Sequence, residues 1–321
     1  MKYIYAIIFL LLPIPGNSQN TSEEELKQIR IKYIKQAQAD LQNKKYNDLI
    51  KNSSAFISKY PEIPNAYHYS AIVFYYLDQF QNSIDNFTKV LEINPKSGVT
   101  HANRGGVYAT LGYDSLALAD FKEALSFNSK NSTAYNNRST VYINNQQFDN
   151  ALDDLRNAII GNKPEVDNFN NMASVYWYKK DLDSALYFTN RALDIDAQYI
   201  YCLDMKVDIL YKKGEQTELF NTCRKLIDVA TNNIENSIYL NFSYRSRGKA
   251  YEILGNKEKA EEDYLKASQL LTKLIAQFPK SYIFLYNRGN MYMKLGKIEK
   301  ANDDYFRAKE INPHYSEFLL K

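Results

Sequence analysis

A spacing of 34 residues recurs through most of this 321-residue chain, and it restricts the fold more than any other property. Asn94-Pro95 and Asn312-Pro313 close two stretches with the same internal spacing of small and aromatic residues. Stepping by 34 from Pro64 gives units at 64–97, 98–131, 132–165, 166–199 and 200–233, with a weaker one before them at 30–63. After seven extra residues comes 241–274, and after seven more, 282–315. The length would otherwise be read as about two globular domains. It is read instead as eight copies of a unit too small to bury a core alone, so neighbours must stack.

The side chains within a unit say how. Position 4 holds Tyr67, Tyr135, Phe169 and Tyr244, and position 11 holds Phe74, Tyr108, Tyr142, Tyr176, Tyr251 and Tyr292. Between them, position 8 is small: Ala71, Gly105, Ala173, Gly248 and Gly289. Ala117, Ala151, Ala185, Ala260 and Ala301 stand at position 20, and Ala124, Ala158, Ala192, Ala267 and Ala308 at position 27. Positions 4, 8 and 11 share one helix face, and positions 20, 24 and 27 share another. Small residues let the two helices approach closely. Gly112, Gly214, Gly255 and Gly296 stand at position 15, where the chain reverses, and Asn-Pro stops the second helix.

This pattern resembles the tetratricopeptide repeat (TPR), a helix–turn–helix unit. The resemblance implies an all-α, right-handed superhelical solenoid of about eight repeats, whose concave wall holds peptides or helices of a protein partner. Repeat 30–63, with Leu49 at position 20 and Phe56 at 27, reads as an N-terminal cap. Repeat 200–233 keeps apolar residues of unusual size, Leu203, Val207, Leu210, Leu219 and Leu226. Seven residues are two helical turns, so the insertions predict longer helices around 228–240 and 268–279. Residues 316–321 leave a short tail over the last helix, so the apolar C-terminal end is expected to meet another copy or a partner.

Comparing the repeats with one another exposes a pairing. Position 7 is Arg104, Arg138, Arg247 and Arg288, and position 23 of the same repeats is Asp120, Asp154, Asp263 and Asp304. The other four repeats have neither partner. An Arg–carboxylate bridge joining the two helices of one repeat is predicted, with a structural role.

Residues 1–18 have a lysine, a short apolar core from Ile4 to Leu12, and small residues before Gln19. They read as a cleaved signal peptide, followed by a lead-in at 19–29. The mature protein is expected to be exported, periplasmic or secreted, of a bacterial envelope type, without stable membrane insertion. In that oxidising setting Cys202 and Cys223, at positions 3 and 24 of one repeat, fit either a disulfide or two buried thiols.

The charge balance, 40 Lys+Arg against 37 Asp+Glu, disfavours nucleic acid as partner. Two Cys and three His, His68, His101 and His314, fall at unrelated positions, so no metal is expected. No cofactor-binding or catalytic motif is found, and the chain reads as non-enzymatic. The 28 Tyr and 16 Phe recur at repeat positions 4, 11 and 24, where the repeat needs them. The resemblance points for partner binding to groove positions, here Asn136, Asn170, Ser174, Trp177 and Tyr178, beside an asparagine row at position 6 that includes Asn103, Asn137 and Asn171. Such a row can bond a peptide backbone without reading its sequence, and Trp177 lies off the core positions as an anchor. Tyr75, Tyr76 and Tyr211 are further candidates. The reading is a protein-binding scaffold or assembly factor; the alternative is a glycan- or peptidoglycan-binding module of the cell envelope.

Overall fold

The computed structural model describes residues 22–160 and 164–314. The signal at 1–18 and the tail at 316–321 lie outside the described residues. Sixteen helices and no strand are present among those described. They run α1 (Glu23–Gln42), α2 (Tyr46–Lys59), α3 (Pro64–Tyr76), α4 (Phe80–Ile93), α5 (Gly98–Thr110), α6 (Asp114–Phe127), α7 (Ser132–Asn144), α8 (Phe148–Ile159), α9 (Val166–Tyr178), α10 (Leu182–Ile195), α11 (Ile200–Lys213), α12 (Gln216–Glu235), α13 (Leu240–Ile253), α14 (Lys257–Gln277), α15 (Tyr282–Lys294) and α16 (Ile298–Ile311). Odd-numbered helices begin repeats and even-numbered helices end them. Residues 23–29, read from sequence as a lead-in, are the first two turns of α1, which Ser22 and Glu25 start with a capping box.

Three helix pairs, those with Gly105, Gly248 and Gly289 at position 8, close on a side chain that is absent. A Cβ added to Gly105 would lie 2.6 Å from the Phe121 ring, and at Gly289 2.6 Å from the Tyr305 ring. The ring at position 24 thus packs where position 8 has no side chain. Ala117, Ala151, Ala185 and Ala301, at position 20, are fully buried. In repeat 64–97 the small residue is Ser83, whose hydroxyl donates to the Ala71 carbonyl at 2.8 Å.

First helices of successive repeats pack on one another at α1–α3, α5–α7, α7–α9, α9–α11 and α11–α13, and the packed pairs include no two second helices. The row of first helices is therefore the short, inner side of the curve, and the second helices form the outer side. The winding is tight enough for late repeats to land on the inter-helix turns of early ones. Tyr239 N–H donates to the Tyr76 carbonyl at 3.1 Å, and the Asn241 amide donates to Asp78 at 3.0 Å. Tyr282 donates to Asp114 at 3.1 Å, and Gln146 donates to the His314 carbonyl at 2.7 Å. Phe80 packs against Phe278 and Phe284 with ring centroids 6.2 and 5.8 Å apart. These rings belong to one buried cluster with Leu111 and Tyr282.

The two insertions make this closure. α12 and α14 have 20 and 21 residues against 12 to 14 in the second helices of the uninserted repeats. Their extra turns end near Ile238 and Phe278, both 3% exposed and both packed against early repeats. Helix α12 stops at Glu235, earlier than the sequence predicted, and residues 236–239 form a turn that carries Tyr239 to Tyr76.

Position 15 is left-handed in every repeat. It is Gly112, Gly214, Gly255 and Gly296 in four, and Lys44, Asp78, Gln146 and Lys180 in the others, all with positive φ. Asp78 and Gln146 carry this backbone cost where their side chains hold the closure. Gly112 (φ +71°) is required for a second reason, since a Cβ there would lie 2.7 Å from the Tyr282 ring. Nothing lies within 4 Å of a Cβ at Gly296 (φ +69°). Gly296→Ala should therefore cost about 1 kcal/mol of stability, the conformational term alone. Gly112→Ala should cost clearly more in a denaturant titration, and equal midpoints would refute the packing of Tyr282 on that turn.

Candidate functional site

Four arginines build the first set of contacts. Arg104, Arg138, Arg247 and Arg288 each donate through Nε and Nη2 to both oxygens of Asp120, Asp154, Asp263 and Asp304, over 2.6 to 2.9 Å. The pairs lie within repeats, between the two helices. A third contact is new. Nη1 of Arg104, Arg247 and Arg288 donates to Thr88, Thr231 and Thr272 of the preceding second helix, at 3.0, 3.1 and 3.2 Å. Each acid lies 16 residues after its arginine and each threonine 16 before, so one guanidinium ties three helices. Arg138 has Lys122 at the earlier position and lacks that contact. The tyrosines of positions 4 and 11 flank the guanidinium: Tyr135 and Tyr142 at 5.5 and 5.7 Å from Arg138, Tyr244 and Tyr251 at 5.5 and 6.0 Å from Arg247. In repeat 98–131 His101 replaces the first tyrosine. Its Nδ1 bonds Asp120 at 2.9 Å and its Nε2 donates to the Pro95 carbonyl at 3.0 Å. Burial alone would lower the His101 pKa, but the two hydrogen bonds and the Asp120 charge outweigh it and raise the value.

The asparagines do not form the free row expected from sequence. The Asn137 amide donates to the Ala102 carbonyl at 3.2 Å, and the Asn171 amide donates to the Asn136 carbonyl at 3.3 Å. Asn136 is buried and its Oδ1 also accepts from Asn168 and Asn171. These amides join α7 to α5 and α9 to α7. Asn103 is half-buried on α5. Asn170 accepts from the Cys202 thiol at 3.2 Å, and Ser174 donates to the Asn170 carbonyl at 3.0 Å. Trp177 is half-buried beneath Lys212, whose Nζ sits 4.6 Å from the ring centroid. Tyr178 is half-buried and stacks on Phe148, with centroids 6.3 Å apart. The disulfide alternative is not what is found: Cys202 and Cys223 are free, buried thiols in different apolar clusters.

The inner wall is instead dominated by rings that closure assembles. Tyr75 and Tyr76 meet Tyr239 edge-on at 6.5 and 5.7 Å, and Tyr239 meets Tyr201 at 5.5 Å. Tyr201 continues to Phe242 at 4.2 Å and to Tyr199 at 5.4 Å. All six residues are half-buried. Tyr211, by contrast, is 65% exposed and outside this group. Around them stand charges that a sequence reading places only by position. Arg245 bonds Asp204 at 3.1 Å and stacks 4.4 Å from the Phe242 ring centroid. Lys249 pairs with Asp204 at 2.9 Å and Asp208 at 2.7 Å. Burial pushes Asp204 up, yet the charges of Lys249 and Arg245 hold it below the usual carboxylate value. Burial prevails at Asp208, and its pKa is raised.

Among the described residues no group of three or more His, Cys, Asp or Glu is arranged to hold a metal. No helix among them is long and apolar enough to cross a membrane. The arrangement offers aromatic faces, paired charges and hydrogen-bonding groups, which is chemistry for holding a ligand.

Two tetratricopeptide-repeat family models match, over residues 282–315 and 243–270. No curated protein matches the sequence. Among solved structures the human IFIT1 dimer with PPP-AAAA is similar at 17% identity and TM-score 0.59, over 87% of this chain and 72% of that one. A tetratricopeptide repeat protein from Parabacteroides merdae is similar at 18% identity and TM-score 0.50, over 86% of this chain and 99% of that one. The Cut9 and Hcn1 hetero-tetramer of the APC/C gives 12% identity and TM-score 0.55, over 90% of this chain and 54% of that one. At these identities the likeness is one of fold.

Two measurements test the arginine contacts. Arg104→Ala should cost about 2–3 kcal/mol, because it leaves the buried Asp120 with His101 in place of a two-pronged guanidinium partner. Arg156→Ala, at a guanidinium 64% exposed beside Asp153, should cost within about 0.5 kcal/mol; equal losses would refute the role. His101 has a raised folded pKa, so its contribution is complete below its unfolded value of 6.5 and fades as pH rises through the folded one. The stability gap between wild type and His101→Gln should therefore be largest in mild acid and shrink in mild alkali. A gap independent of pH would remove the His101–Asp120 bond.

Proposed function

We propose that this tetratricopeptide repeat protein is a non-catalytic scaffold, or assembly factor, that holds a segment of a partner protein against its inner wall. The supporting observation is the continuous run of half-buried aromatic residues, Tyr75, Tyr76, Tyr239, Tyr201, Phe242 and Tyr199, on the first-helix side of the curve. Half-buried aromatic residues that border several hydrogen-bonding groups are good anchors. The asparagines Asn137 and Asn171 are engaged between repeats, so the aromatic run takes the place they had in the sequence reading. Trp177, under Lys212, is a lesser anchor at one end.

Nucleic acid fits less well. IFIT1 binds RNA, but a phosphate chain needs an excess of Lys and Arg. Near these rings the acids Asp78, Asp167, Asp204 and Asp208 outnumber Arg245 and Lys249, which pair with Asp204 and Asp208. Export to a bacterial envelope or beyond is part of the same proposal, supported by the lysine and short apolar core of residues 1–18.

A photo-reactive amino acid placed at Tyr201, and separately at the outer-wall residue Tyr187 (54% exposed), distinguishes the readings in native cells. Protein adducts should form from position 201 and not from 187. Equal adducts from both positions would sink the inner-wall reading. Adducts to a polysaccharide would favour the envelope-glycan alternative, and adducts to RNA would overturn the exclusion of nucleic acid.

A further inference from the structure

Closure brings two carboxylates to the edge of the aromatic run, and neither pairs with a cation among the described residues. Asp78 sits in the left-handed turn between α3 and α4. It accepts from the Asn241 side chain and from the backbone amides of Leu240 and Asn241, capping α13 from 163 residues away. Asp167, in the first turn of α9, accepts from the Tyr199 hydroxyl. Among the described residues their hydrogen-bond partners are neutral, and Asp196 adds a like charge at Asp167. Tyr75 and Tyr201 lie within electrostatic reach of both acids, so the two carboxylates border one stretch of wall.

The two cations beside the rings are already taken. Arg245 bonds Asp204 and covers Phe242; Lys249 holds Asp204 and Asp208. With Asp196, whose charge acts on Asp167, and Lys44, which lies near Asp196, the carboxylates of the region still outnumber its bases among the described residues. A carboxylate in a dry setting is costly unless a cation compensates it. Burial raises the pKa of both unpaired acids, of Asp78 to about 6, against the hydrogen bonds that oppose it. Tyrosine faces attract cations as well, most strongly when water is excluded. Wall and charge are therefore complementary to the same kind of side chain.

We infer that the inner wall accepts a basic segment of a partner protein, with a lysine or arginine seated against Tyr75, Tyr201 and Tyr239 between Asp78 and Asp167. This rests on the inner-wall reading above and narrows it to one ligand chemistry. An anionic segment would meet unpaired acids, and a neutral one would leave them uncompensated. The attraction should weaken with salt, though less than at an open surface.

The test is selection of random dodecapeptides displayed on phage against residues 19–321, followed by binding of the selected peptides at two salt concentrations. Winners should carry a net positive charge and lose affinity as salt rises. Asp167→Asn should weaken them about tenfold and remove the charge bias when selection is repeated on that variant. Tyr201→Ala should weaken them too. Asp78→Asn is the second carboxylate variant, since asparagine tolerates a left-handed turn and keeps an acceptor oxygen. Thermal melts show that each variant is folded. Winners of neutral or acidic charge that still need Tyr201 would overturn the basic-ligand inference and leave the inner-wall reading intact. Unchanged binding by folded Asp167→Asn and Asp78→Asn would overturn it as well. Failure to select any peptide that depends on Tyr201 would sink both.

Discussion

Gly105, Gly248 and Gly289 are bare because a ring from the facing helix occupies the space a side chain would need. In these three repeats that contact sets the distance between the two helices, and a small residue at position 8 allows the same approach in most of the others. With the helices this close, an arginine at position 7 reaches an aspartate at position 23 with both nitrogens of its fork. With the arginine fixed there, its remaining nitrogen reaches a threonine of the preceding repeat. The tyrosines at positions 4 and 11 then flank a cation as well as filling volume. Packing within the repeat and stacking between repeats are therefore joined by one side chain.

A second level of order comes from length. Two extra turns on α12 and on α14 carry Tyr239 and Phe278 to the turns of repeats laid down much earlier in the chain. The inner wall is a product of this meeting, because Tyr75 and Tyr76 come from one side of the seam and Tyr239 from the other. The buried cluster around Phe80, Phe278 and Phe284 lies beside it and fixes its shape.

The repeat register, the helix pairs and the longer second helices were legible because each follows from spacing along one chain. The arginine–aspartate pairing was legible too, since eight copies of one unit act as a small internal comparison. Closure was not. No local pattern tells where a chain will pass its own earlier turns. Only the non-glycine residues at position 15, Asp78 and Gln146 among them, hinted that those turns were reserved for something. The asparagine row misled because an amide that bonds a peptide backbone bonds a neighbouring helix equally well. The threonine contacts were hidden by the insertions, which move Thr231 and Thr272 seven places from the repeat position of Thr88. Counted backward from the arginine, all three lie at the same distance.

A stack of repeats ordinarily melts piecemeal, since each unit knows only its neighbours. Here Asp114 holds Tyr282 across 168 residues of chain, and the seam joins the second repeat to the seventh and the fourth to the eighth. An early repeat cannot fray without releasing a late one, so the array should lose its structure as one cooperative body. The same contacts raise the mean sequence separation of touching residues, which slows folding. Early repeats must wait for synthesis to reach the last ones before their turns are covered. Until then Phe80 and Leu111 lack part of their cover, which is when a nascent or newly exported chain would most need protection from aggregation.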